Sequence, residues 1–290
     1  MPDLRGPDGP LIQLLIVMTF VTGLVDAFSY LVLGRVFVAN MTGNVVFLGF
    51  ALAGAPDFGI LDSFVALAWF GVGAVVGGKL AALVGGHRGK HLSTAATIQV
   101  VFLAASVVLA LASGIPIAAG YRYGLLAVLG TSMGIQNATA RKLGVPDMTT
   151  TVLTLTITGI GADSALAGGL GSRAGRRLVA VGAMLAGAGV GTVLVLYLNA
   201  AYALVPALLL VGLVAAAARC VWQTNPMSQW PAKFGPSKLA RRAARPRFKP
   251  ATLRSSAHIN TASGRASTAD RAVYSASEHA LVGRPATPPG

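Results

Sequence analysis

Between residues 10 and 221 the chain carries only five carboxylates, Asp26, Asp57, Asp62, Asp147 and Asp163, and that scarcity constrains the fold more than any motif does. A water-soluble body needs a charged coat, and soluble domains devote about a quarter of their residues to Asp, Glu, Lys and Arg. Here charged residues make up 11% of the 290-residue chain and hydrophobic ones 54%. The surface of such a body must face lipid. A run of about 20 apolar residues covers the hydrocarbon core of a bilayer, and several runs reach that length. The expected class is an all-α polytopic membrane protein.

The formal net charge of +14 is unevenly spread. Eleven Lys and Arg, from Lys233 to Arg284, lie beyond Val221 against Asp270 and Glu278. Beside a membrane such a segment meets anionic lipid headgroups, each basic residue contributing on the order of 1 kcal/mol. No nucleic acid is expected as a partner. From Trp222 onward Pro, Ser, Ala, Thr and Arg dominate, a composition that buries too little apolar area to offset its ordering entropy. Residues 222–290 therefore read as a disordered, cytoplasmic tail, and 1–9 as a short N-terminal segment. The first apolar run follows acidic Asp3 and Asp8 and is too long for a signal-peptide core, so it reads as a signal-anchor span. Cys220 is the sole cysteine, which leaves no intrachain disulfide.

Apolar segments fall at about 10–33, 41–54, 59–84, 93–114, 117–139, 149–168, 178–199 and 201–221. Pro10 suits the first turn of the first helix. The chain also repeats itself. Asp26-Ala-Phe-Ser-Tyr-Leu-Val-Leu-Gly34 precedes Met41-Thr-Gly-Asn44, while Gln136-Asn-Ala-Thr-Ala-Arg-Lys-Leu-Gly144 precedes Met148-Thr-Thr-Thr151. Gly73-x-x-x-Gly77 is answered by Gly187-x-x-x-Gly191. Three landmarks in order, at nearly constant spacing, indicate two repeats of about 105 residues, 10–114 and 115–221.

Length and charge then choose a topology. If all eight segments cross, the loop Lys and Arg divide evenly between the two sides. If the second and sixth are short helices that enter and leave on one side, the inside gains Arg88, Lys90, Arg141 and Lys142, and the outside holds only Arg35 and Arg122. The second arrangement obeys the positive-inside rule. Residues 41–54 would make about 21 Å of helix, too short to cross. The expectation is six full transmembrane helices plus two short or re-entrant ones, with eight or seven full spans as the alternatives. Three spans per half make the repeats inverted, a common transporter plan.

Intramembrane ionisable groups are functional candidates by default, and Asp26 lies some fifteen residues into the first span. Its other reading is a structural cap or a partner for Arg35. Its repeat counterpart, Gln136, cannot ionise. Asp163 reads like Asp26 but sits nearer a segment end. Asn40-Met-Thr-Gly-Asn44 and Asp147-Met-Thr-Thr-Thr151 each precede an apolar helix and carry N-cap residue types. A helix N-terminus inside the membrane also offers free N–H groups and positive partial charge to a solute, and interrupted segments at matched positions point to a transporter site. The expected binding set is Asp26, Asn40, Thr42, Asn44, Gln136, Asn137, Asp147, Thr149 and Thr151, lining one polar cavity; ordinary helix capping is the plainer reading. Thr151, Thr154 and Thr158 continue one polar face. The glycine pairs let helix backbones approach closely, within the chain or between copies of a homo-oligomer.

Several patterns are decoys. Gly73 to Gly78-Lys79 has phosphate-loop spacing, but Leu80 stands where Ser or Thr must hold magnesium. Asn40-Met-Thr42 and Asn137-Ala-Thr139 fit the glycosylation pattern yet hug membrane segments. His87 and His91 lack a third metal ligand and read as solvated. No nucleophile motif or metal set is present, so no catalysis, metal or cofactor is expected. Val25 to Gly49, through Asp26-Ala-Phe-Ser-Tyr and Asn40-Met-Thr-Gly-Asn44, closely resembles the opening signature of the YoaK family of bacterial membrane proteins. Gly134 to Val152, through Ile-Gln-Asn-Ala-Thr-Ala-Arg-Lys, resembles its second signature. The likeness covers roughly residues 10–221 and implies a multi-pass protein of the bacterial inner membrane, in a family of unknown function. It supplies no activity. The residues themselves favour a transporter or channel-like protein for an unknown small solute over a scaffold or sensor acting through its basic tail, and over a membrane-embedded enzyme.

Overall fold

The computed structural model describes residues 9–84, 87–114, 116–145, 153–164, 167–168 and 174–224. These form eight α-helices: α1 (Gly9–Val32), α2 (Met41–Leu52), α3 (Ile60–Val84), α4 (Arg88–Ser113), α5 (Ala119–Leu143), α6 (Leu153–Ala162), α7 (Ala174–Tyr197) and α8 (Leu204–Thr224), the last entered through a short 3-10 turn, Ala200–Ala203. The described residues contain no strand. Lipid explains this, since a helix satisfies its own backbone where no water can. By length and composition α1, α3, α4, α7 and α8 can each cross a bilayer. α5 is as long, at 25 residues, but more polar.

Apolar side chains fill the core and also cover the perimeter, and a set of polar groups is buried among them. Leu83, Leu185, Leu209, Val101 and Val108 are exposed on the perimeter, whereas Thr22, Asp26, Gln99, Ser132 and Gln136 are buried. The perimeter is thus a lipid-facing surface.

α1 and α5 are the inner helices. α1 packs chiefly on α7 and α8, α5 on α3 and α4, and α4 also on α8. Glycines permit the closest approaches. A Cβ on Gly73 would strike the Thr131 carbonyl oxygen, and one on Gly134 the Phe70 carbonyl oxygen. On the other side, a Cβ on Gly187 would strike the Phe20 carbonyl oxygen, and one on Gly23 that of Met184. The glycine pairs therefore serve packing within the chain. Gly73 lies at Thr131 and Gly77 at Ile135, so α3 and α5 run parallel; Gly187 at Phe20 and Gly191 at Leu24 make α7 and α1 parallel.

Two sets of contacts mark the ends of the bundle. At one, the Arg88 guanidinium donates to the Leu143 carbonyl at 2.7 Å and Trp222 packs on Gly89, joining the start of α4 to the ends of α5 and α8. At the other, Arg122 pairs with Asp62 at 3.1 Å and both crowd Gly34, joining the starts of α5 and α3 to the end of α1. α1 finishes and α3 starts at that second end, so the chain between them, α2 included, begins and ends there.

Several boundaries differ from the sequence reading. α4 starts at Arg88 because the His87 ring nitrogen accepts from the Lys90 N–H at 3.3 Å, capping the helix five residues early. α8 runs through Trp222, whose ring meets His87 edge-on. His91 is fully buried and not solvated. The tail from residue 225 onward lies outside the described residues.

Candidate functional site

α1 ends in a Schellman motif. Gly34 takes a φ of +97°, and the Arg35 N–H reaches back to the Tyr30 carbonyl at 3.1 Å. The chain then turns into the bundle instead of away from it. One carboxylate oxygen of Asp26 accepts the N–H groups of Val38 at 3.1 Å and Ala39 at 2.9 Å. Asp26 stands six residues before the end of α1, so these amides lie about 9 Å below that end. The 12 residues of α2 then climb back over about 18 Å. Asn44 closes the hairpin: its side-chain oxygen accepts from the Phe37 N–H at 2.9 Å, and its amide donates to the Phe37 carbonyl at 2.5 Å. A stack of rings fills the outer side, with Tyr30–Phe37 centroids at 5.0 Å, Phe37–Phe47 at 5.7 Å and Phe47–Phe58 at 5.1 Å.

Where α2 begins, a cleft of about 780 Å³ opens between α2, α3, α5 and α6. Asn40, Thr42, Asn137 and Thr154 supply its neutral polar groups, Arg141 and Lys142 its charges, and Met41, Val46, Phe47 and Phe70 its apolar walls. Asn40 occupies the N-cap of α2, yet its side chain makes no capping hydrogen bond. The first turn of α2 forms part of the wall, so its N–H groups and the positive end of the helix lie at the cleft.

A second polar cluster lies in the bundle centre. Gln99 donates to Gln136 at 2.6 Å, and the Gln136 amide donates to Thr22 at 2.7 Å and to the Met18 carbonyl at 3.3 Å. Thr22, Asp26 and Ser29 follow one face of α1, and Ser132, Gln136 and Thr139 one face of α5, each triplet spaced by one turn. The second oxygen of Asp26, the Gln99 side-chain oxygen and the hydroxyls of Ser132 and Thr139 are buried with no hydrogen-bond partner among the described residues.

Of the residues singled out from sequence, Asn40, Thr42 and Asn137 line the cleft. Asp26, Asn44 and Gln136 stand outside its lining, engaged as just described. Asp147, Thr149 and Thr151 lie outside the described residues. Arg35, considered as a partner for Asp26, pairs with Asp57 at 3.0 Å instead, and Asp163 pairs with Arg177 at 2.7 Å. Sequence reasoning missed Arg141, Lys142, Phe47 and Phe70 as lining residues, and Gln99 as a core residue. Gln99 carries a signal, a lone amide deep in an apolar run, whereas Arg141 and Lys142 at the end of α5 read as topogenic charge.

An apolar perimeter and five helices fit to cross define a multi-pass helical membrane protein. The chain belongs to a family described as protein of unknown function (DUF1275), whose family model matches residues 14–217. It is 33% identical over 150 residues to the UPF0700 transmembrane protein YoaK of Bacillus subtilis (strain 168), an alignment covering 50% of this chain and 63% of that relative. The chain thus spans less than two thirds of that relative's length. No solved structure matches it.

Proposed function

We propose that the chain is a small-solute transporter or channel-like protein of the bacterial inner membrane, working through the cleft at the start of α2. The observation that carries this reading is the hairpin of Asp26, Phe37 and Asn44, which holds a helix start inside the bundle with its N-cap side chain uncommitted. Helix starts and unwound backbone within the membrane are expected only against protein or a water-filled path.

We infer further that the halves are inverted repeats, giving six full spans with α2 and α6 as short helices that do not cross. In support, α3 runs parallel to α5 and α7 to α1, and the packing scheme is unchanged when α1–α4 are exchanged with α5–α8. Thr22, Asp26 and Ser29 stand 110 residues before Ser132, Gln136 and Thr139. The clustering of Arg88, Lys90, Arg141 and Lys142 at one end supports a cytoplasmic assignment for that end, and hence for the tail that follows α8. Anionic headgroups are the natural partners of that tail. No catalytic step and no cofactor enters this reading.

Thermal-shift screening of the purified protein against a metabolite panel, followed by uptake of each stabilising compound into proteoliposomes, tests it. A compound that stabilises and accumulates supports transport. Stabilising compounds that never accumulate would point to a sensor and sink the transport reading.

A further inference from the structure

Resting on that reading of the cleft, we propose that its solute is a small organic anion with an apolar body, the class of short aliphatic and aromatic carboxylates. Among the described residues the lining holds two cations, Arg141 and Lys142, and no carboxylate. Neither cation is in an ion pair among the described residues, where the acids Asp57, Asp62 and Asp163 pair with Arg35, Arg122 and Arg177. Two adjacent positive groups in a cleft with low-dielectric walls focus a field that concentrates anions and repels cations. The planar guanidinium fork of Arg141 suits a carboxylate in particular.

The remaining walls decide the rest of the molecule. Met41, Val46, Phe47 and Phe70 offer carbon, and Asn40, Thr42, Asn137 and Thr154 offer a few neutral hydrogen-bonding groups. A polyol would leave most of its hydroxyls against apolar side chains, unpaired. A bare inorganic ion would leave most of about 780 Å³ unfilled. A carboxylate head at Arg141 and Lys142 with its carbon body between the rings of Phe47 and Phe70 satisfies both ends.

Cations in the last turn of α5 also suit the negative end of that helix and the positive-inside rule. Neither role requires the cleft, which gives the test its leverage. Butyrate, hexanoate and benzoate are titrated into the full-length protein in detergent, beside the corresponding amides and amines, with melting temperature as readout. Saturable stabilisation by the carboxylates is expected, with amides and amines at least about tenfold weaker, a difference of one decade in Kd. Arg141→Gln/Lys142→Gln should weaken carboxylate binding at least about tenfold while the unliganded melting temperature holds. If that double variant fails to fold, Lys142→Gln alone should show the same direction of change. Amides binding as well as acids, no binding of any acid, or undiminished binding in the charge-neutral variant each overturn the inference. An uncharged solute that accumulates in proteoliposomes overturns the anion class and leaves transport standing. Carboxylate binding without uptake does the reverse.

Discussion

The side-chain amide of Asn44 grips the backbone of Phe37 from both sides, accepting from its N–H at 2.9 Å and donating to its carbonyl at 2.5 Å. Asn44 is fully buried, so its loss orphans two backbone groups. Asn44→Ala should cost about 1–3 kcal/mol, the usual penalty for a buried group left unpaired. Asn40→Ala, four residues earlier, removes no capping bond and should leave the melting temperature within a degree or two. The same Asn40 variant should weaken the binding of any solute that the cleft accepts. Equal destabilisation by both variants would contradict this division of labour.

Asp26 anchors the hairpin ahead of α2 through one oxygen. Asp26→Ala should strand the Val38 and Ala39 amides and cost about 1–3 kcal/mol, the penalty for buried donors left unpaired. Asp26→Asn keeps an oxygen acceptor and should cost less. Hydrogen exchange over residues 36–44 reads the effect: faster exchange in the alanine variant, near-native exchange in the asparagine one. Unchanged exchange in Asp26→Ala would remove the carboxylate from the anchoring role.

The Gln99–Gln136 contact at 2.6 Å predicts a strongly non-additive pair. Gln136→Leu alone abandons Gln99 and Thr22 in the bundle centre, at a cost of about 1–3 kcal/mol. Gln99→Leu/Gln136→Leu removes both partners together and should cost less than the sum of the single changes. Melting temperatures of the four proteins close the cycle, and simple additivity would show that the two amides do not interact.

Glycines two residues apart on α7 should respond oppositely. A side chain on Gly187 meets the backbone of Phe20, whereas around Gly189 a Cβ finds open space. Gly187→Val should destabilise by about 3 kcal/mol or more, since backbone cannot step aside as a side chain can. Gly189→Val should be nearly silent. The pair reads out in melting temperature, and a silent Gly187→Val would disprove the close α1–α7 crossing.

Cysteine labelling in a Cys220→Ala background checks the arrangement of spans. Pro56→Cys and Gly120→Cys should react with a membrane-impermeant reagent from the outer face, and Gly144→Cys only from the cytoplasmic face. Eight full spans would reverse each of these sides, so labelling of Pro56→Cys from the cytoplasmic face would rule out six spans with two short helices.

Much of the architecture was legible because lipid leaves few options. Low charge and segment length announced the helices, and the shortness of residues 41–54 announced a short second helix, the 12-residue α2. The glycine pairs announced close packing, though only coordinates could show that Gly73 meets Thr131 in the same chain. The roles of Asp26 and Asn44 were not legible. Both serve backbone amides brought to them by the path of residues 34–40, and a one-dimensional reading sees the polar side chain without seeing what the chain folds against it. For the same reason Asn40 and Asn44, alike in composition, separate into a cleft residue and a clamp. Gln99 and Gln136 stand 37 residues apart on different helices, so their contact depends on the packing of α4 against α5.

The packing of α1 on α7 and α8, and of α5 on α3 and α4, has a consequence for the history and handling of such a chain. The opening helix of each half is lent across to the other half, so that neither half closes on itself. Cut between Ser113 and Tyr121, each fragment would expose a glycine-floored trough shaped for a helix that it does not own. Two such fragments made together should find one another, whereas either made singly should be captured by the cell's quality control. A chain of half this length with the same helix packing could close only by pairing with a second copy.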